Sequence, residues 1–227
     1  MVEHHVGHVV REVPLRDIGA ATADWLCLLA VTDPEAGYSG FSQIIVPTDC
    51  AGFRYDLLDK IGNVGSDTGQ LYFDDVRVPV AHTIGDIGRG FQQQMMQFQE
   101  ERMYSALSSL TSLTRTIDET IKYTSQREVF GKPLIDNQVI HFRMAELATE
   151  VEALRALTWK SVEMHINGED CTKLASMAKL KSGRLGREVN DACLQYWGGM
   201  GFMDETLVSR SYRDGRLASI GGGADEV

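Results

Sequence analysis

Residues 136 to 162 read DNQVIHFRMAELATEVEALRALTWKSV. Ile140, Met144, Leu147, Val151 and Leu154 are separated by three or four positions, and Val162 follows after two steps of four. That spacing lines side chains along one face of a 3.6-residue helix. Asp136 stands where an N-cap is wanted, because a short carboxylate accepts from the free amides of a first turn. The same period extends in both directions. Upstream, Met103, Leu107, Leu110, Ile117 and Ile121 predict a long helix beginning after Gly90. Downstream, Leu174, Ala178, Leu185, Val189 and Ala192 predict a third helix, which Gly198-Gly199 stops, glycine being the residue that turns left-handed without a Cβ clash. A shorter helix over about residues 205 to 217 completes the set.

Before residue 80 the pattern changes. Trp25 to Val31 and Phe41 to Val46 are short apolar bursts bounded by Asp33, Pro34, Gly37 and Gly40, then by Pro47 and Asp49. Gln70-Leu71-Tyr72-Phe73-Asp74-Asp75-Val76-Arg77-Val78-Pro79 adds a strand whose apolar faces are interrupted at the acidic pair, as by a bulge. Three to five mostly antiparallel strands are predicted over residues 24 to 79. The expected fold is α+β, a partial antiparallel β domain over residues 23–85 followed by an antiparallel four-helix bundle over residues 86–227. Residues 1–22 show neither alternation nor a helical stripe and stay unassigned. The end Gly221-Gly222-Gly223-Ala224-Asp225-Glu226-Val227 is where another helix is expected to start, so the chain reads as a fragment cut before its last helix.

Composition narrows the function. With 227 residues, 43% hydrophobic and 24% charged, the chain is long enough to bury a core. Lys plus Arg is 22 and Asp plus Glu is 32, a net charge of −10 that argues against nucleic acid or an anionic membrane as main partner. Cys27, Cys50, Cys171 and Cys193 stand singly with no CxxC spacing, which reads as reduced thiols in a cytoplasmic compartment, or the mitochondrial matrix in a eukaryote. No apolar run is long enough for a membrane span.

Four stretches hold residue types capable of chemistry. His4-His5-x-x-His8 has metal-ligand spacing, but without acidic or Cys partners at set spacing near a terminus, solvent-exposed histidines are the better reading and no metal site is expected. Gly199-x-Gly201 lacks the preceding strand and third glycine of a dinucleotide fingerprint, so a helix C-cap is the better reading than a ligand loop on these residues alone. Arg127-Glu128-Val129-Phe130-Gly131 with Pro133 breaks the chain between two helices; its guanidinium suits a phosphate, but an inter-helix loop with a surface ion pair is the simpler reading of these residues alone. Glu100 and Glu101 point about 100° apart on a helix, so at most one readily faces the interior. A desolvated carboxylate there is fit to take a proton from carbon beside a carbonyl, although two exposed acids is the simpler reading.

Taken together, Leu71-Tyr72-Phe73-Asp74-Asp75-Val76-Arg77-Val78-Pro79, Gly88-x-Gly90-Phe91, Gln126-Arg127-x-x-Phe130-Gly131-Lys132-Pro133-Leu134 and Gln195-x-x-Gly198-Gly199-x-Gly201-Phe202 resemble the acyl-CoA dehydrogenases. The resemblance runs from about Ala23 to Val227, covering the back half of that family's middle β domain and its C-terminal helical domain. It implies oxidation of an acyl-CoA thioester to the α,β-enoyl form with FAD, and electrons passed to an electron-transfer flavoprotein. Family members bind FAD across a subunit interface, which implies a homodimer or homotetramer. By this resemblance Arg127 meets the FAD pyrophosphate, Phe130 and Gln138 line the cofactor, and Gln195, Gly198 and Gly199 pass their backbone near its adenosine end. Gly223, Ala224 and Asp225 complete the cofactor set. Glu101 takes the catalytic-base position on the first long helix, since Gly222 stands at the alternative loop position. Arg102 orients the substrate or the helix end, and Gly221 and Gly222 line the thioester pocket. The glycine run leaves room for a methyl branch, which points to a branched or isoprenoid acyl-CoA, while the position of Glu101 resembles that in isovaleryl-CoA dehydrogenase and the stretch Gly221-Gly222-Gly223-Ala224-Asp225-Glu226 resembles citronellyl-CoA dehydrogenase. Residues 1–22 do not resemble the family's N-terminal helical domain, early strands or Trp-containing flavin segment. Two alternatives remain: a flavin oxidase or monooxygenase on the same fold, and a helical assembly module that has lost FAD binding.

Overall fold

The computed structural model describes residues 8–10 and 15–226, with side chains described from residue 19 onward. The chain divides into two compact units, Met1–Gln97 and Phe98–Val227.

The first unit is built of small antiparallel sheets. Strands β1 (His8–Val10) and β2 (Leu15–Ile18) are followed by β3 (Trp25–Val31), β4 (Phe41–Pro47), β5 (Phe53–Leu57), β6 (Thr68–Phe73), β7 (Val76–Val78) and β8 (Thr83–Ile84). Strand β4 lies between β3 and β8, β6 lies between β2 and β5, and β1 pairs β7. Alternation fixes which side chains point inward, so Leu26, Leu28, Ile44, Val46, Leu71, Phe73, Val76 and Val78 make one buried cluster.

Five strands, β3 to β7, occupy the span where three to five were predicted. Asp74-Asp75 is a break rather than the expected bulge. Asp75 turns left-handed at φ 47, and the chain passes from β6, paired with β2 and β5, to β7, paired with β1. Two parts of the segment left without an element are strands, with backbone registers His8↔Val78 and Leu15↔Leu71. Strands this short pair through their backbones and leave little periodicity to read. Of the histidine cluster, His4 and His5 lie outside the described residues, as does Val227.

Helix α1 (Gly90–Gln126) begins in the first unit and continues in the second, where α2 (Gln138–Ile166), α3 (Thr172–Trp197) and α4 (Leu207–Gly215) follow. Leu110, Leu113 and Ile117 of α1, Ile140, Met144, Leu147, Val151 and Leu154 of α2, Leu185, Val189 and Cys193 of α3, and Val208 of α4 form one core. Thr116, Thr120 and Thr124 share the buried face of α1, each hydroxyl donating to the carbonyl four residues back at 2.7–2.9 Å. The connection to α3 spans only residues 167 to 171, which returns it antiparallel to α2. Arg143 of α2 bridges to Glu188 of α3, and Lys181 of α3 to Glu150 of α2.

The helix starts differ from expectation at one point. Asp136 lies in a 3₁₀ turn (Leu134–Asp136), and Asn137 flanks α2 without a side-chain cap, its amide donating to Leu134 O at 2.8 Å. The turn already uses the geometry that Asp136 needed for capping. The last helix starts at Leu207, capped by Thr206 Oγ1, and passes into a 3₁₀ turn over Arg216–Ser219.

Between α1 and α2 a hairpin replaces a plain loop. Strand β9 (Glu128–Val129) pairs β10 (Lys132–Pro133) around Phe130-Gly131, whose φ values are 53 and 79. Two successive positive φ values mark the type I′ turn, whose twist matches that of the strands.

Candidate active site

One group of candidate residues converges on the turn that ends the described chain. Helix α1 brings Arg102, whose Nε donates to Gly222 O at 3.4 Å. Helix α3 brings Ser176, Lys179 and Leu180, and with residues 222 to 226 these line a cleft of about 450 Å³. Gly222 and Gly223 sit at φ 67 and 99, where a side chain would strain the backbone, and open space surrounds both Cβ positions. The backbone of this turn is therefore bare toward the cleft. Glu101 precedes Arg102 on α1 and is exposed, as is Glu100.

Asp225 behaves differently from its neighbours. Its side chain is only 3% exposed and is held from two sides, by Lys179 Nζ at 3.8 Å from Oδ1 and by Arg187 Nη2 at 3.2 Å from Oδ2. Lys179, itself 6% exposed at the side chain, also donates to Gly223 O. The carboxylate is enclosed within the chain, with Oδ1 facing the Lys179 charge but making no hydrogen bond.

The second group gathers at the other end of α3. Tyr123 stacks on Trp197, and the Tyr196 hydroxyl donates to Val139 O at 3.4 Å, so the end of α1, the start of α2 and the end of α3 meet here. Arg127, Gln138 and Gln195 lie on these ends, all exposed. Arg127 is fixed through its backbone, its N–H donating to Tyr123 O at 2.9 Å and its carbonyl accepting from Leu134 N at 2.7 Å. Phe130 projects from the hairpin fully exposed, at 100%. Gly198 ends α3 at φ 57, and Gly199 has open space at its Cβ position. Gly198 thus caps the helix, and Gly199 beside it leaves accessible backbone.

Lys179 and Gln195 are sixteen positions apart on one helix, about 24 Å along its axis. Arg102 and residues 221 to 225 are therefore brought together, Arg127, Phe130, Gln138, Gln195, Gly198 and Gly199 are brought together, and the two groups stay apart in one chain.

Sequence reasoning missed Lys179, Arg187 and Tyr123. The signal for Lys179 was present, since it occupies the buried stripe Ala175, Ala178, Lys179, Ser182 and Leu185 of α3, where a lysine needs a partner. Near the second group, burial raises the Tyr196 phenol against the opposing influence of Arg143, and pushes the Cys193 thiol up to about 11. Cys193 accordingly stays a protonated core thiol. Among the described residues no cluster of three His, Cys, Asp or Glu side chains could hold a metal ion, and no helix is long and apolar enough to cross a membrane.

Residues 88–227 match the family model described as acyl-CoA dehydrogenase, C-terminal domain. Cyclohexane-1-carbonyl-CoA dehydrogenase of Geobacter metallireducens is 32% identical over 206 residues, 90% of this chain and 54% of that protein. The acryloyl-CoA reductase (NADH) of Anaerotignum propionicum is 34% identical over 210 residues, 92% of this chain and 53% of that protein. The crystal structure of a probable acyl CoA dehydrogenase from Mycobacterium abscessus superposes with a TM-score of 0.91 at 33% identity, covering 97% of this chain and 61% of the other. The chain spans about half the length of the curated relatives it matches.

Proposed function

Because the chain belongs to the acyl-CoA dehydrogenase family, we propose that it carries the base-bearing helix and the C-terminal cofactor-binding part of an enzyme oxidising an acyl-CoA thioester to its α,β-enoyl form. The observation that carries this reading is the bond from Arg102 Nε to Gly222 O, which joins the helix of Glu101 to a turn of bare backbone across 120 positions of sequence.

In this reading Glu101 removes the proton α to the thioester carbonyl. Arg102 holds the glycine turn beside it, and peptide N–H groups of residues 222 and 223, unobstructed by side chains, face the thioester oxygen as negative charge develops there, the Gly221 N–H being bonded to Leu217 O. The bound thioester itself excludes water from Glu101, which the free chain leaves exposed. FAD, when bound, supplies the acceptor for the hydride leaving the β-carbon.

The residues fit that cofactor. The Arg127 guanidinium makes no hydrogen bond or ion pair with a described residue, Phe130 is fully exposed, and Gly199 leaves room for close approach. A planar fork of donors suits a diphosphate, and exposed rings and amides suit a flat heterocycle. The separation of the two groups along α3 supports a cofactor shared between copies of the chain in a homodimer or homotetramer, one copy contributing the glycine turn and the other the Arg127 end. The side-chain-free wall at residues 221 to 223 supports a branched or isoprenoid acyl chain, with electrons passed on to an electron-transfer flavoprotein.

The test is Glu101→Gln in the full-length flavin-loaded protein, offered isovaleryl-CoA, citronellyl-CoA and straight-chain acyl-CoA thioesters. Bleaching of the flavin's visible absorption is expected to slow by about 10²–10⁴-fold with flavin retained, the range that loss of a positioned acid or base produces. Bleaching at the wild-type rate would remove Glu101 from the role of base.

A further inference from the structure

The turn over residues 219 to 226 has little means of holding itself. Three consecutive glycines give it the backbone that loses most freedom on ordering, and two of them adopt positive φ. Its fixation comes from α3. Lys179, Gly183 and Arg187 recur every four residues and so lie along one face of that helix. Lys179 donates to Gly223 O and faces Asp225 Oδ1 at 3.8 Å. Arg187 reaches Asp225 Oδ2 at 3.2 Å. Between them Gly183 leaves a notch, since a Cβ there would stand 2.9 Å from Ala218 O and 3.0 Å from Asp225 Oδ1 and from Ser219 Oγ. The Asp225 N–H closes the turn on Ser219 O at 3.1 Å.

Asp225 Oδ1 faces the Lys179 charge without a hydrogen bond; a buried ammonium and a buried carboxylate are costly to desolvate and are kept only where opposite charge and further polar groups offset that cost. Here the further group is a carbonyl of the glycine run itself. Neither side chain is needed for the hydrophobic core, which is built of other residues.

We propose that Lys179 and Asp225 are a positioning pair that sets the backbone of residues 221 to 223 and, through it, the shape of the acyl-thioester pocket. This rests on the reading of those glycines as the pocket wall. Neither residue touches the reacting atoms; both act through the peptide groups they hold.

The experiment combines hydrogen–deuterium exchange of residues 219 to 226 with kcat and KM for the best acyl-CoA substrate, in the full-length flavin-loaded protein. The variants are Lys179→Met, Asp225→Asn and Lys179→Arg. Exchange in the turn is expected to rise by about tenfold or more in the first two, the equilibrium worth of a charge-assisted hydrogen bond, while the amides of α1 to α3 keep wild-type protection. KM is expected to rise by a similar factor with kcat less affected, and Lys179→Arg to restore both. Wild-type exchange in both charge-removing variants overturns the pair. Faster exchange with unchanged KM overturns the positioning role. If Lys179→Met unfolds the helical unit, the isosteric Asp225→Asn decides alone. If no acyl-CoA reduces the wild-type flavin, the pocket reading fails while the exchange measurements still decide whether the pair fixes the turn.

Discussion

The rings of Tyr123 and Trp197 lie almost flat on one another, with centroids 4.1 Å apart and planes 8° from parallel. Tyr123 OH donates to Trp197 O at 3.4 Å, and Trp197 Nε1 donates to Thr120 Oγ1 at 3.2 Å. One aromatic pair thereby pins the end of α1 to the end of α3, near Arg127 and Gln195. Trp197→Ala is expected to cost about 3 kcal/mol through lost burial and stacking, and Trp197→Phe about 1 kcal/mol. Urea unfolding checks the order; equal costs would show that stacking contributes nothing.

Phe130 is expected to trade stability for binding. Its φ of 53 places a bulky residue where glycine or asparagine is normal, and its ring contributes nothing to the core of this chain. Phe130→Gly should therefore stabilise the hairpin by about 1 kcal/mol while weakening flavin retention. Thermal unfolding and gel filtration with FAD measure the two effects. Undiminished flavin retention would take Phe130 out of the cofactor set.

Two glycines less than one turn apart on α3 are expected to respond with opposite signs. An added Cβ at Gly183 meets Ala218 O at 2.9 Å, whereas at Gly186 it meets nothing within 4 Å. Gly183→Ala should cost about 1–3 kcal/mol by overpacking, and Gly186→Ala should gain about 0.5–1 kcal/mol from lower unfolded-chain entropy and better helix propensity. Denaturant midpoints for the two variants decide the matter; a destabilised Gly186→Ala would refute the open space.

Alkaline pH should act through Cys193. Its folded pKa of about 11 lies above the ordinary thiol value of 9.0 because burial disfavours the thiolate. Between those values the unfolded chain has released a proton that the folded chain keeps, so this group's contribution falls as pH rises from 9 to 11, by on the order of 2 kcal/mol. Cys193→Ala should flatten the slope of stability against pH in that window, whatever its effect at neutral pH. An identical slope would show that another group controls it. At pH 8 the exposed Cys27 should alkylate before the buried Cys171 and Cys193, as followed by mass spectrometry.

The helical half was legible because its signal is periodic and its core is apolar. Ile140, Met144, Leu147, Val151 and Leu154 were read as one stripe and are all buried. Hidden from that reading were the buried threonines of α1, which satisfy their hydroxyls on the preceding turn and so enter an apolar face without breaking the helix. The change of strand partner at Asp74-Asp75 was equally hidden, because a bulge and a break both interrupt alternation in the same way. In the candidate site, the residues of the glycine turn and the Arg127 end stood out as motifs. Lys179, Arg187 and Tyr123 did not, since their roles depend on residues 44, 38 and 74 positions away.

The four-residue spacing of Lys179, Gly183 and Arg187 makes α3 a ruler as well as a wall. One residue inserted between Lys179 and Arg187 would rotate everything after it by about 100° and shift it by about 1.5 Å. The lysine, the notch and the arginine would then face different directions, and the glycine turn could dock on only part of its seat. Insertions in the link at residues 167 to 171 leave that alignment intact. Added residues are therefore expected to be tolerated in the connections of this half and not within α3, which should admit substitution far more readily than any change in the number of its residues.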